Sequence, residues 1–105
     1  MRSAVAKKGS LPTHRVHAFY GGRVQGVGFR HAAEETAHRI GCLSGFVKNL
    51  QDGRVEVVCE GSKEKIDEFL KQMKEGPMGR FITKTDCRWE DPSGQFCDFT
   101  VEFHF

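Results

Sequence analysis

The chain has 105 residues, of which 29% are charged and 38% are hydrophobic, a balance typical of one globular domain with a single core. Its net charge of +2 is too small for a protein that coats nucleic acid. No apolar run approaches the ~18 residues of a membrane span, and the basic start lacks the apolar segment of a secretory signal. We therefore expect a cytoplasmic location, no membrane partner, a flexible basic tail over residues 1–12 and a domain over residues 13–105.

Hydrophobic period and turn residues predict seven elements. In chain order they are a strand over 14–20, a helix over 29–40, strands over 43–50 and 54–60, a helix over 63–75, and strands over 81–89 and 99–105. Gly41 is suited to end the first helix, Asp52-Gly53 is a strong hairpin turn, and Ser62 is a good N-cap for the second helix. The chain therefore alternates between strands and helices around a central hairpin.

This order predicts an α+β fold, a ferredoxin-like βαββαβ sandwich with one mainly antiparallel sheet and two helices on one face. The fold supports many unrelated activities, so the function has to be inferred from a site. Large apolar side chains on the predicted elements are expected in the core. Four phenylalanines assigned to the core are Phe19, Phe69, Phe99 and Phe103.

The cysteines and histidines do not indicate a metal site or a disulfide framework. Cys42, Cys59, Cys87 and Cys97 form no C-x-x-C pair, and the histidines have no paired ligand spacing. With no secretory signal, we expect reduced thiols and no metal.

The most informative segment is the glycine-rich turn over residues 21–28, between the first strand and the first helix. Glycines admit positive φ and have no Cβ, so several main-chain N–H groups can converge on one point. The start of the helix favours an anion there, and Arg30 in its first turn can bind a phosphate with two parallel hydrogen bonds. The segment therefore indicates an oxyanion site. The alternative is a simple long turn beside a solvated Arg30.

Known nucleotide motifs do not fit this turn. Gly21 and Gly26 have the spacing of a Walker A loop, but Val27 stands where that motif needs Lys. A dinucleotide fingerprint beginning at Gly26 would need glycine in place of His31. The anion is therefore not expected to belong to a large nucleotide.

Two segments together closely resemble the acylphosphatase family. They are residues 22–30, with the sequence GRVQGVGFR, and residues 45–49, with the sequence GFVKN, followed by the Asp52-Gly53 turn. The resemblance extends from about His14 through the second helix and loosely to the C-terminus. It implies the same βαββαβ fold and hydrolysis of a small-molecule acyl phosphate to carboxylate and inorganic phosphate, with no cofactor.

The resemblance also implies the roles of individual residues. Arg30 matches the arginine that binds phosphate, and Asn49 matches the asparagine that orients the attacking water. The segment that would supply main-chain amides comprises Gln25, Gly26, Val27, Gly28 and Phe29. This chain departs from the family in the connector over 41–45, which looks one residue longer, and in Phe46, where tryptophan is common. We expect the connector to bulge outward without moving Asn49.

Two other functions are open at this point. A carbamoyl-phosphate-handling domain inside a larger maturation protein resembles the same loop, although the length of this chain favours a free-standing enzyme. RNA-binding modules share the topology, but the strand over 54–60 has acids and no aromatic, so no nucleic-acid partner is expected. We expect a monomer, and we expect His31 to be a surface residue rather than a catalytic base.

Overall fold

A computed structural model describes residues 11–103. The predicted order of helices and strands is confirmed, and the first helix has the predicted bounds. The elements are β1 (His14–Gly22), α1 (Phe29–Ile40), β2 (Ser44–Asn49), β3 (Val55–Gly61), α2 (Lys63–Glu75), a 3₁₀ turn (Pro77–Phe81), β4 (Ile82–Glu90) and β5 (Phe99–Glu102). Most of the predicted basic tail and the last two residues of the final predicted strand lie outside the described residues.

The strands form one five-stranded sheet in the order β4-β1-β3-β2-β5. All neighbouring pairs are antiparallel except β2 and β5, which are parallel. Both helices pack on one face of the sheet, and this confirms the predicted α+β ferredoxin-like sandwich. The fully buried side chains that join the two layers include Val16, Ala18, Val47, Val57, Phe29, Ala33, Ile66 and Phe69.

The prediction for the aromatic core is only half right. Phe69 and Phe99 are fully buried, with ring centroids 5.7 Å apart. Phe19 instead lies on the face of the sheet opposite the helices. Successive side chains of a strand point to opposite faces, and its neighbours Ala18 and Tyr20 are buried on the helix side. Phe103 lies just beyond β5 and is 73% exposed.

The segment over residues 91–98 links the two opposite edges of the sheet, since β4 and β5 are the outer strands. It is anchored by Glu60 of β3, whose side chain is fully buried. One carboxylate oxygen of Glu60 accepts hydrogen bonds from the Ser93 N–H (2.8 Å), the Ser93 hydroxyl (3.0 Å) and Arg15 (3.1 Å). The other oxygen accepts one from the Gly94 N–H at 2.9 Å. This anchor fixes the segment that delivers β5 to its place beside β2.

Glu60 is therefore a charged side chain that is buried but fully hydrogen-bonded. Burial alone would raise the pKa of this carboxyl, but the bonds from Ser93, Gly94 and Arg15 outweigh it and lower the pKa below the usual range. The anchor therefore combines an ion pair with Arg15 and hydrogen bonds from the main-chain N–H groups of Ser93 and Gly94.

The connector between α1 and β2 turns through two residues with positive φ, Gly41 (83°) and Cys42 (59°), and the Cys42 side chain is exposed. In β2, Gly45 has a φ of 138°, and a Cβ there would overlap the carbonyl oxygen of Val58. This close approach holds β2 against β3 and sets Asn49 opposite Val55.

No helix within residues 11–103 is long and apolar enough to cross a lipid bilayer.

Candidate active site

The turn before α1 leaves the start of the helix without a side-chain cap. Gly26 and Gly28 adopt left-handed conformations with φ of 79° and 89°, and Gly28 is the N-cap residue. Among the described residues, none of the main-chain N–H groups over 25–31 donates to a main-chain carbonyl. The first turn of α1 also has no acidic residue. Free amides at a positive helix terminus form a site for a small anion.

The Gln25 side chain links this turn to the β2–β3 turn by two hydrogen bonds. Its Nε2 donates to the main-chain carbonyl oxygens of Leu50 (2.7 Å) and Arg54 (2.9 Å), which flank the β2–β3 turn. The side-chain nitrogen is therefore used within the protein, and the main-chain N–H of Gln25 is the donor that remains for a ligand. Sequence reasoning named the residue but could not reveal this contact.

Arg30 and Asn49, which are 19 positions apart in the chain, line the same open cleft of about 440 Å³. Gly26, Gly28 and Phe29 line it as well, so five of the seven residues singled out from the sequence meet there. Gln25 and Val27 do not line it, and Val27 packs against the hydrophobic core. The remaining lining residues are Val24, His31, Glu34, Thr100, Val101 and Phe103.

Asn49 provides an unused hydrogen-bond acceptor in the wall of the cleft. It is the last residue of β2, and its Oδ1 atom is buried with no hydrogen-bond partner among residues 11–103. Leaving a buried acceptor unpaired costs about 1–3 kcal/mol, so such an atom calls for an explanation. A rotation of the Asn49 side chain would turn this atom toward a water molecule in the cleft.

Arg30 is free to bind an anion. Its guanidinium forms no ion pair with any carboxylate in the described part of the chain. Instead, its central carbon lies 5.0 Å from the centroid of the Phe103 ring. Such a cation–π contact covers one face of the guanidinium and leaves the N–H edge exposed.

Phe103 is the lining residue that sequence reasoning assigned wrongly, because it was expected in the core. The parallel pairing of β5 with β2 sets Glu102 opposite Lys48, and so brings Phe103 close to Asn49. That pairing joins residues more than fifty positions apart, so no local pattern could have revealed it.

Other reactive side chains lie outside this centre. His31 is exposed at the side of the cleft on α1. No three His, Cys, Asp or Glu side chains in the described segment come together in a way that could hold a metal ion. The four cysteines are free thiols, and burial raises the pKa of Cys59 to about 12, so this thiol stays neutral and unreactive.

The fold and the cleft together define a small α+β domain in which an uncapped helix start lies beside one arginine. The acylphosphatase family model matches residues 16–101. The chain therefore belongs to the acylphosphatase family, whose known activity is the hydrolysis of acyl phosphates, and the resemblance and the activity inferred from it are confirmed.

Individual relatives agree with this assignment. An acylphosphatase from Roseiflexus sp. is 41% identical over 87 residues, which cover 83% of this chain and 92% of that protein. One from Thermus thermophilus is 45% identical over 80 residues, covering 76% and 90%. The crystal structure of the Bacillus subtilis acylphosphatase superimposes with a TM-score of 0.78 at 30% identity, covering 85% and 98%.

A similar domain also occurs within a longer protein. Full-length HypF in its phosphate- and nucleotide-bound form matches with a TM-score of 0.73 at 26% identity. The match covers 90% of this chain but only 12% of that one.

Proposed function

We propose that Arg30 and the main-chain N–H groups over residues 25–29 bind the phosphoryl group of the acyl phosphate, and that Asn49 orients the attacking water. The observation that best supports this division of roles is the buried, unpartnered Oδ1 of Asn49, which lies in the same cleft as the uncapped start of α1. Donors for the anion and an acceptor for water thus meet in one place.

The chemistry requires charge stabilisation more than acid–base assistance. The water oxygen attacks phosphorus as the bond from phosphorus to the acyl oxygen breaks, which releases a carboxylate and inorganic phosphate. Carboxylate is a good leaving group and does not need strong general-acid catalysis. Negative charge develops on the equatorial phosphoryl oxygens, where Arg30 and the fixed amides stabilise it.

Asn49 contributes position and cannot act as a base. A carboxamide has no accessible basic form at neutral pH, so the amide can only hold the water in line for attack. The proton of that water passes to an oxygen of the substrate. A pH–rate profile with an inflection that disappears in His31→Ala would instead show that His31 accepts this proton as a general base.

We predict that Asn49→Ala lowers kcat by about 10²-fold and leaves inhibition by inorganic phosphate within about threefold, since the lost group holds water and not the anion. Steady-state hydrolysis of a simple aryl acyl phosphate, measured with EDTA present, gives both quantities. Lys48→Ala is the matched control, because this neighbour points to the opposite face of β2. Phosphate inhibition weakened tenfold or more in Asn49→Ala would contradict the proposed roles.

A second substrate class is carbamoyl phosphate, which the resemblance of the glycine-rich loop to that of a carbamoyl-phosphate-handling domain favours. It presents the same phosphoryl group to the cleft and differs only in its acyl part. Parallel assays of phosphate release from carbamoyl phosphate and from an aryl acyl phosphate compare the two, and the larger kcat/KM identifies the preferred class.

We also propose that the enzyme works in the cytoplasm on a small-molecule substrate, without a cofactor and without nucleic acid. The mild net charge and the acids on β3 support the absence of a nucleic-acid partner. Undiminished activity in EDTA and no RNA binding at moderate salt are the expected results.

A further inference from the structure

β4 forms one outer edge of the sheet. It pairs with β1 on one side and with no other strand among residues 11–103 on the other. Every residue from Thr83 to Glu90 is exposed. An open edge of this length is a template for pairing with another strand.

The charges along β4 alternate in sign on one face. Lys84, Asp86, Arg88 and Glu90 are two residues apart and share the face of the sheet opposite the helices. Cys87 lies at the centre of this series, on the other face. A strand with this pattern has opposite charges at equal distances on either side of its centre.

We propose that two copies of this chain pair antiparallel through β4, about a twofold axis at Cys87, to form one continuous ten-stranded sheet. This register sets Asp86 opposite Arg88 of the second copy and Lys84 opposite Glu90 of the second copy, each pair occurring twice. Opposite charges directly across a strand pair stabilise it, and like charges destabilise it. All four cross-strand charge pairs are attractive.

The charges also exclude the neighbouring registers. A shift of two residues keeps the charged side chains of both copies on the same face of the joined sheet. It places either Asp86 or Arg88, however, directly opposite the same residue of the second copy. Each of these shifts adds further like-charge pairs, Lys84 with Arg88 or Asp86 with Glu90. The sequence of β4 therefore favours the register centred on Cys87 over its nearest alternatives.

The groups needed for this pairing are available in a single copy. The Arg88 side chain makes no hydrogen bond or ion pair within residues 11–103, and the nearest cation to Asp86 is the Lys84 Nζ at 3.9 Å. The Lys84 side chain is 75% exposed. Glu90 already contacts Arg15 (3.0 Å) and His17 (3.3 Å), and a second copy would add Lys84 to that group.

The predicted dimer is weak and leaves both active sites open. A pairing of two strands buries less than the roughly 1,200 Å² of a standard interface, so we expect a Kd of about 10–100 µM. β4 is at the edge of the sheet opposite β5, so the clefts lie at the two outer ends of the assembly. Hydrolysis per chain should not change on pairing. This proposal departs from the monomer expected from the sequence.

Charge reversal provides the test, with sedimentation equilibrium of the full chain as the measurement. Asp86→Arg and Arg88→Glu each turn two attractive pairs into two repulsive ones and should weaken self-association about tenfold or more. An equal mixture of the two variants restores all four attractive pairs, so it should associate within about threefold of the unchanged protein. Lys71→Glu on the exposed side of α2 is the matched charge-reversal control.

The mixture makes the test decisive. Association that survives in the single variants, or a mixture that stays monomeric, would overturn the proposal. All three variants should keep the hydrolysis rate of the unchanged protein, since none lies near the cleft.

The register has a separate covalent readout at Cys87. Residues directly opposite in antiparallel strands have Cα atoms about 4.5–5.5 Å apart, within the range that a disulfide spans. With copper–phenanthroline as the oxidant, two Cys87 thiols lose two electrons and two protons and form one disulfide.

Partial desolvation and the nearby Asp86 raise the pKa of the Cys87 thiol, so the reaction is run in mildly alkaline buffer. We expect covalent dimers that vanish in Cys87→Ser, although the exposed Cys42 and Cys97 remain in that variant. Dimers that persist in Cys87→Ser would contradict the register.

Discussion

The two ends of the β-sheet differ in whether their buried polar groups are hydrogen-bonded. At the Glu60 end, a buried carboxylate receives four hydrogen bonds, from Ser93, Gly94 and Arg15. At the Asn49 end, a buried amide oxygen has no partner in the described residues, and the start of α1 has no cap. Both ends belong to the same sheet and are one strand length apart.

This contrast separates stability from activity. A fully satisfied buried charge contributes to the fold and offers nothing to a ligand, whereas an unsatisfied site costs stability and is ready to bind. Substitutions at the Glu60 end should therefore change unfolding and leave catalysis alone. Substitutions at the Asn49 end should do the reverse.

The largest expected effect is on activity, at Arg30. Arg30→Ala should lower kcat/KM for an aryl acyl phosphate by about 10²–10³-fold, because it removes the proposed main charged donor to the transition state. Arg30→Lys should not restore activity, since an ammonium lacks the two-pronged geometry. Neither change should lower the free energy of unfolding by more than about 1 kcal/mol, because Arg30 has no carboxylate partner and its contact with Phe103 is exposed. Retention of a tenth of the activity in either variant would show that Arg30 does not have this catalytic role.

The next effect is on stability, at Glu60. Glu60→Gln should lower the free energy of unfolding by about 2–4 kcal/mol, since it removes the charge and leaves one main-chain donor or Arg15 badly paired. Urea titration measures the loss, with the exposed Glu75→Gln as control. We expect kcat per folded enzyme to stay within twofold of the unchanged protein. A large fall in kcat would show that the two ends are coupled.

The stability of the protein should also depend on the protonation of Glu60 at acidic pH. The pKa of Glu60 is lower in the folded protein than in the unfolded chain, where it is about 4.3. Its stabilisation is therefore complete above the unfolded pKa and is lost as the pH falls through the folded value. The stability of Glu60→Gln should depend less on pH in this acidic range. Parallel pH curves for the two proteins would contradict the role of Glu60.

A smaller effect is expected where Phe103 covers Arg30. Phe103→Leu should lower kcat/KM about 2–5-fold, which corresponds to the loss of one exposed cation–π contact. Phe103→Trp should keep or improve activity, because indole is the better π partner. Equal activity of the Leu and Trp variants would show that the ring is only a wall of the cleft.

The smallest effect is expected at Tyr20, and it is a gain. Its ring packs on Phe29, its buried hydroxyl has no hydrogen-bond partner in the part of the chain that is described, and the residue does not line the cleft. Burial also raises the pKa of this phenol well above its ordinary value. Tyr20→Phe should raise the free energy of unfolding by up to about 1 kcal/mol with unchanged activity. A loss of stability in thermal and urea unfolding would show that the hydroxyl has a partner.

The sequence predicts what depends on local pattern. The bounds of α1 follow from the 3.6-residue period over 29–40 and from Gly41, and the loop and Arg30 follow from the glycines before that helix. The partners of Glu60 could not be predicted, because Ser93 and Arg15 lie 33 and 45 positions away. The same reason hides the Phe103 contact, since only the parallel β2–β5 pairing brings that ring to Arg30.

The position of β1 in the sheet has a consequence for how the chain folds. β1 pairs with β3 and with β4, and the contact between Arg15 and Glu90 spans 75 positions. Closing so long a loop costs conformational entropy before any contact compensates for it, so domains rich in such pairings fold slowly. Until β4 arrives, the hydrogen-bonding edge of β1 is open to other chains. Refolding at high protein concentration should therefore lose more material to aggregation than refolding at low concentration.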